Sequence, residues 1–401
     1  MGAERPLNVG LVGCGAIAGI YARNARLFAD IVLVACASRS PEAAGRFAEA
    51  HGIRAMETRA LLADPGIDLV LNLTPPDGHA EIAAAALAAG KHVYNEKPLA
   101  TALPDGRRLV DEAEHRGLRL GAAPDTILGA GLQVARMAVD AGELGPVLTG
   151  LAAFMTKGME HWHPNAPAFY GKGIGPVMDI GPYYVAALTT LLGPVESVQA
   201  AGRISPAERR RGAPGPLQGT PFTAEAFTSV NAILHFASGA QVSLLASWDV
   251  WAHGARPIEL HGTLGSIRVP DPNTFGGAVE RSANHRLLNM HDPADAALIG
   301  TRQDWLVQPV DGLPFGAPNY PADGPRTANY RGLGLAEMAN AIRSGRPHRC
   351  SGQFALHTLA VLLAIGEAAG TGRRAEVAVM PTAIPAPFPP AEAASLCRNA
   401  A

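Results

Sequence analysis

Through roughly the first 125 residues, short apolar runs alternate with alanine-rich amphipathic stretches, the way parallel βαβ units read along a chain. The apolar runs predict strands at 8–12, 31–37, 69–73, 92–95 and 118–122, and the amphipathic stretches predict helices at 16–28, 41–51, 78–89 and 103–115. Gly90 stands where the third of these helices needs a glycine to end it. From about Val147 the period shortens to two. In AFTSVNAILHF one face carries Val230, Ala232, Leu234 and Phe236, and in QVSLLASW one face carries Val242, Leu244, Ala246 and Trp248. Ser238-Gly239 between them is a hairpin signal, and further strands are expected at 195–203, 257–261 and 266–269. The stretches 204–222 and much of 270–330, rich in Pro, Gly and polar residues, read as long loops. A helix at 334–344 puts Leu335, Met338, Ala339 and Ile342 on one face and stops at Gly345; another is expected at 353–369, and the Pro-rich end after Met380 reads as an extended strap. The fold class is therefore α/β plus α+β. A parallel-sheet domain at 1–125 precedes an α+β domain at 126–380 built on an open, mostly antiparallel sheet, with a tail at 381–401.

A chain of 401 residues exceeds what one core usually supports, which agrees with two domains. Its formal net charge of -2 gives no broad electropositive surface, so nucleic acid is excluded as a partner and a small, near-neutral ligand is expected. Cys14, Cys36, Cys350 and Cys397 show no metal-ligand or C-x-x-C spacing and read as reduced thiols. The chain runs from MGAERPLNVGLVGCG straight into a fold element, without the basic-then-apolar pattern of a leader, and no unbroken apolar run reaches about 18 residues. A cytoplasmic protein with no membrane partner is the expectation.

Gly13-Cys14-Gly15-Ala16-Ile17-Ala18 follows a predicted strand and opens a predicted helix, the context that the dinucleotide fingerprint G-x-G-x-x-G/A requires. Gly13 permits the tight turn, Gly15 lets backbone approach a pyrophosphate, and Ala16 and Ile17 begin a helix whose N-terminus favours negative charge. The first domain is thus read as a Rossmann-type domain. After the second strand, where an NAD site usually offers a carboxylate to the ribose, the chain has Ala37-Ser38-Arg39-Ser40. Ser38 and Arg39 suit a 2′-phosphate, so NADP is favoured over NAD; the alternative is that Arg39 stacks on adenine or faces water in an NAD enzyme.

GLVGCGAIA, Leu73-Thr74-Pro75-Pro76 with His79, the run Gly90-Lys91-His92-Val93-Tyr94-Asn95-Glu96-Lys97-Pro98-Leu99, Asp179-Ile180-Gly181 and the later YRGLGLAEMANAIRSGRPHR occur in this order. Together they resemble the glucose-fructose oxidoreductase / inositol dehydrogenase / rhizopine-catabolism (Gfo/Idh/MocA) family over nearly the whole chain. The resemblance implies a hydride transfer between nicotinamide and a hydroxyl or carbonyl carbon of a sugar, polyol or related molecule. It implies that Thr74, Pro75 and His79 line the cofactor, that Glu96 contacts its ribose, and that Lys97 reaches the reacting oxygen beside the nicotinamide. A cation there stabilises a developing alkoxide and can relay a proton; the bland alternative is a solvated loop-end lysine.

In that family a histidine commonly follows the aspartate four positions on, and here the position holds Tyr183. With a helix starting at Asp179, both side chains would share one face. Tyr183, its pKa lowered by Lys97, or Asp179 through water, is the expected proton carrier. Against this stand a packed tyrosine with a satisfied hydroxyl and an aspartate that merely caps a helix. His161, Trp162 and His163 are candidate sugar-contacting residues, the alternative being an ordinary surface loop. A metal is not expected, because no third ligand accompanies the two histidines. A redox-assisted glycosidase and a non-catalytic nucleotide sensor are the rival functions, and a homodimer or homotetramer is the expected assembly.

Overall fold

The computed structural model describes residues 5–282, 289, 291–296, 305–317, 319 and 329–398, with the side chains of 295 and 296 left aside. The first half alternates β1 (Leu7–Val12), α1 (Ala18–Asn24), β2 (Ile31–Ala37), α2 (Pro41–His51), β3 (Arg54–Met56), α3 (Thr58–Ala63), β4 (Leu69–Asn72), α4 (His79–Ala88), β5 (His92–Asn95), α5 (Leu103–His115) and β6 (Leu120–Ala122). The strands form one sheet in the order β3-β2-β1-β4-β5-β6, and every pairing is parallel. The reversal of strand order beside β1 opens a crevice at the strands' C-terminal ends, where open α/β sheets take their ligands. Local chemistry sets these boundaries. Ser40 accepts a bond from the Ala43 N–H to start α2, and Gly52, at φ 68°, ends it.

The second half contributes α6 (Ala130–Asp140), β7 (Val147–Met155), α7 (Gly175–Asp179), α8 (Gly181–Leu192), β8 (Val195–Arg203), β9 (Glu208–Arg210), β10 (Pro221–Thr223), β11 (Ser229–Phe236), β12 (Gln241–Ser247), β13 (Ile258–Gly262), β14 (Ser266–Val269), β15 (Val279–Ser282), α9 (Pro293–Ala296), β16 (Leu306–Gln308), α10 (Leu333–Ser344), α11 (Gly352–Thr371), β17 (Ala375–Glu376) and α12 (Pro390–Ser395). Nine strands form a sheet in the order β16-β15-β14-β13-β7-β12-β11-β8-β17, antiparallel except where β7 meets β12. The hairpin expected at Ser238-Gly239 joins β11 to β12.

Several expectations need correction. The stretch 204–222 is not all loop, because β9 and β10 pair within it. Of 270–330, residues 283–288, 290, 297–304, 318, 320 and 321–328 lie outside the described residues. The tail is extended only as far as Pro389 and then turns into α12. The apolar core is continuous across position 125. One apolar cluster runs from Leu7 through Tyr184 to Ile365, and α11 packs on α5 and β6 as well as on β8 and α8. By length and mean composition, α11 is apolar enough to cross a membrane, although no unbroken apolar run predicted it; 67% of its most apolar window is buried inside the protein.

Candidate active site

The crevice is built at the ends of β1, β4 and β5. Gly13 sits at φ 104°, and a Cβ there would meet the Leu73 carbonyl carbon and oxygen at 2.6 Å, so the turn after β1 requires glycine. At Gly15 a Cβ would project into open space, leaving a cradle of bare backbone where the fingerprint brings a pyrophosphate close. The residues therefore fit a dinucleotide.

Two asparagines organise the next turns. Asn72 and Asn95 are register partners on β4 and β5, both fully buried, and the Asn72 amide donates to Asn95 Oδ1 at 3.0 Å and to the His79 carbonyl at 3.1 Å. Asn72 Oδ1 accepts from the Thr74 hydroxyl at 2.7 Å, while Asn95 Nδ2 donates to the Leu99 carbonyl at 3.2 Å. His79 is fully buried with its ring nitrogens 2.6 Å from the Pro98 carbonyl and 2.8 Å from that of Thr74. Its ring thus ties the Thr74-Pro75 turn, expected to line the cofactor, to the Glu96-Lys97-Pro98 turn, and leaves no surface exposed. Glu96 is buried too. It accepts from the Tyr21 hydroxyl and from the Lys97 N–H, both at 2.8 Å, and so binds the fingerprint helix α1 to the Glu96-Lys97 turn.

Lys97, Asp179 and Tyr183 come together. Lys97 Nζ donates to Asp179 Oδ1 at 2.9 Å and to the Asp179 carbonyl, and stands 5.4 Å from the centre of the Tyr183 ring. Lys97 is thus no solvated loop-end lysine. Asp179 ends α7 instead of starting a helix, and α8 begins at Gly181 without a side-chain cap, so the aspartate's carboxylate serves Lys97 and not a helix end. Burial, the largest single influence, pulls the Lys97 pKa down, but Asp179, Tyr183 and Glu96 together outweigh it, and the ammonium is held above its ordinary value. For Tyr183 the expected direction is reversed. Burial raises its pKa, and the nearby Arg331 and Lys97 cations only partly offset that rise, so the phenol keeps its proton.

Ser38 is half-buried at the end of β2 and Arg39 is exposed beyond it. His161, Trp162 and His163 form a separate aromatic patch. Trp162 is 62% exposed, His161 meets Trp251 edge-on, and His163 lies against Trp162 and Phe169; no bond or ring contact among the described residues links them to Lys97, Asp179 or Tyr183. Beneath the patch Glu160 is buried against Arg209 Nη1 at 2.7 Å and the Tyr170 hydroxyl. Arg209 also pairs with Asp249, whose Oδ2 accepts from the Thr228 hydroxyl at 2.7 Å. A cavity of about 610 Å³ lined by Arg119, Arg346 and His348 contains none of the predicted site residues.

Residues 7–123 match the family described as an oxidoreductase family with an NAD-binding Rossmann fold, and residues 132–268 match the GFO/IDH/MocA C-terminal domain. A dTDP-3,4-didehydro-2,6-dideoxy-alpha-D-glucose 3-reductase of Streptomyces violaceoruber is 31% identical over 73% of this chain and 84% of its own length. The enzyme of that name from Saccharopolyspora spinosa is 34% identical over 49% of this chain, which spans only 60% of that relative. A levoglucosan dehydrogenase solved with NADH and levoglucosan superposes with a TM-score of 0.75 at 24% identity, over 93% of this chain and all of the other. With both halves matched in chain order, and a relative above 30% identity covered over most of its length, the chain belongs to the Gfo/Idh/MocA family of nicotinamide-dependent oxidoreductases.

Proposed function

We propose that the protein moves a hydride between nicotinamide and a hydroxyl or carbonyl carbon of a sugar or sugar derivative. The observation that carries this is the Lys97 ammonium, pinned by Asp179 beside a protonated Tyr183 at the C-terminal end of the parallel sheet. When bound, the cofactor supplies or accepts the hydride. Gly13, Gly15 and the first turn of α1 would hold its pyrophosphate, with Thr74, Pro75 and the Glu96-Lys97 turn flanking its nicotinamide half. Lys97 donates to the reacting oxygen and lowers the cost of negative charge on it. In reduction, Tyr183 or Lys97 gives that oxygen its proton; in oxidation, one of them must first lose its own. The named sugar substrates of the relatives support a carbohydrate-like ligand.

Arg39, exposed at the end of β2 and in no ion pair among the described residues, supports NADP as the preferred cofactor. Arg39→Ala is expected to raise KM for NADP and leave that for NAD, and an unchanged NADP preference would remove Arg39 from the phosphate site. The rings of His161, Trp162 and His163 would receive the part of the substrate remote from the reacting carbon. Exposed Leu148, Ile233, Leu306 and Val307 on the nine-stranded sheet support a homodimer or homotetramer, which light scattering at micromolar protein tests. The four cysteines, unpaired in the structure, agree with a cytoplasmic site of action.

The direct test is to add NADP and then NAD with a panel of free sugars, inositols, sugar acids and aryl glycosides while following absorbance of the reduced cofactor. Substrate-dependent reduction that disappears in Lys97→Met is the expected outcome. Reduction that survives in the variant within a few-fold refutes the assigned role of Lys97.

A further inference from the structure

Arg331 is buried to 93% in the sense that only 7% of its surface is exposed, yet its guanidinium is not fully used. Nη2 donates to Asn273 Oδ1 at 3.0 Å, whereas Nη1 has no partner among the described residues. A buried donor without an acceptor is costly, and a native protein that keeps one usually has a use for it. The backbone around it is clamped. The Arg331 carbonyl accepts from Asn24 on α1 at 3.0 Å, and the N–H groups of Gly332 and Gly334 donate to Asp125 Oδ2 at 2.8 and 3.2 Å. Its cation lies 5.3 Å from the centre of the Tyr183 ring and acts electrostatically on Glu96, Tyr21 and Asp125. Arg331 therefore stands between the fingerprint helix, the turn after β5 and the catalytic tyrosine.

With strand order β3-β2-β1-β4-β5-β6, a dinucleotide lies across the end of β1 with its adenosine toward β2 and its nicotinamide toward β4 and β5. Arg331 is on the nicotinamide side. Charge decides what it takes. Lys97 and Arg331 already face the carboxyl groups of Glu96, Asp125 and Asp179, so a further anion would add repulsion, whereas a neutral oxygen acceptor satisfies Nη1 without disturbing the balance. We propose that Arg331 Nη1 donates to the carboxamide oxygen of the nicotinamide ring and so fixes which face of the ring is turned toward Lys97 and Tyr183. This rests on the proposed placement of nicotinamide over β4 and β5.

Arg331→Met keeps the buried stem and removes the donors; Arg331→Lys keeps the charge and loses the fork. Affinity for NADH is read from fluorescence of the reduced ring, and affinity for ADP-ribose, which lacks the ring, by calorimetry. NADPH and 2′-phospho-ADP-ribose replace them if they bind more tightly. The expected result is a loss on the order of tenfold or more for the reduced cofactor in Arg331→Met, with ADP-ribose unchanged within about twofold. Arg331→Lys should lie between, and stereospecifically deuterated NADH should transfer its label less selectively in Arg331→Met. Unchanged affinity for both ligands overturns the proposal, as does equal loss of both in the two variants, or a rise in substrate KM alone. Wild-type protein that binds ADP-ribose as tightly as NADH would instead overturn the placement of the nicotinamide, and the proposal with it.

Discussion

Replacing Asp179 by asparagine keeps the shape of the side chain and removes the charge that lies 2.9 Å from Lys97 Nζ. In the native site burial lowers the proton affinity of Lys97, and Asp179 is the largest influence that reverses it, followed by Tyr183 and Glu96. Without the aspartate, burial is opposed only by the two weaker partners, and the lysine pKa falls. Coulomb's law at this separation with an effective dielectric constant of about 20 gives roughly 6 kcal/mol, an upper bound for side chains that still touch solvent. Single neighbouring charges shift pKa values by about 1–3 units, and about 2 units is the expected fall here.

The sign of the rate effect follows. A group whose pKa is raised holds its proton as pH climbs through the usual lysine range near about 10.4, so the native enzyme keeps its Lys97 cation throughout the neutral and moderately alkaline range. In Asp179→Asn the alkaline limb of kcat/KM for carbonyl reduction should move down by about 2 pH units. The assay is oxidation of NAD(P)H by the best carbonyl substrate from about pH 6 to about pH 11 at saturating cofactor, native and variant side by side. A variant profile up to about pH 11 that shows no alkaline limb beyond those of the native enzyme, even if kcat drops, would show that Asp179 does not govern the proton on Lys97.

Tyr183→Phe should lower kcat by about tenfold or more with cofactor affinity retained, because the phenol keeps its proton at neutral pH; a smaller loss would make the ring packing alone. For oxidation of an alcohol, where Tyr183 or Lys97 must release a proton that the site holds tightly, the native rate should rise steadily with pH above about 7, and a profile flat from pH 7 to 10 would contradict the raised pKa values. Gly13→Ala forces a Cβ onto the Leu73 backbone at a left-handed φ, and should cost about 3 kcal/mol and lower Tm by several degrees, with cofactor affinity falling as well. Glu337, fully buried, accepts from Arg346 Nη1 at 2.6 Å and Arg349 Nη1 at 2.8 Å, so Glu337→Gln should cost about 3–5 kcal/mol in thermal unfolding, and an unchanged Tm would refute it.

The hydrophobic pattern carried most of the architecture. Strands β2 and β5 lie where alternation and apolar runs place them, and β11 and β12 meet at the expected turn. What it missed has a physical cause. β3 is three residues long with two of them exposed, and α3 follows directly, so neither leaves a periodic trace. α11 itself was expected at 353–369, but His357, Thr358 and Gly366 interrupt its apolar runs, so its membrane-like apolarity shows only on averaging.

The site was legible where a motif named it and illegible where long-range contact made it. Lys97 and Asp179 are 82 positions apart, and family resemblance supplied their partnership before geometry did. The resemblance named Glu96 as a ribose contact but not its bond to Tyr21, and it gave no role to Asp125 beneath the start of α10 or to Arg331. The available signal lay in polar residues where a buried strand ought to be apolar. Asn72 and Asn95 end two strands at matching register positions, and each is fully buried, so each must be bonded to something. A polar residue that breaks a buried pattern at the C-terminal end of a parallel strand stands at the crevice where such sheets bind ligands. The residues that failed the hydrophobic reading are accordingly the ones that hold Lys97, Glu96 and the turn between them in place, and the chemistry is built from that break in the pattern.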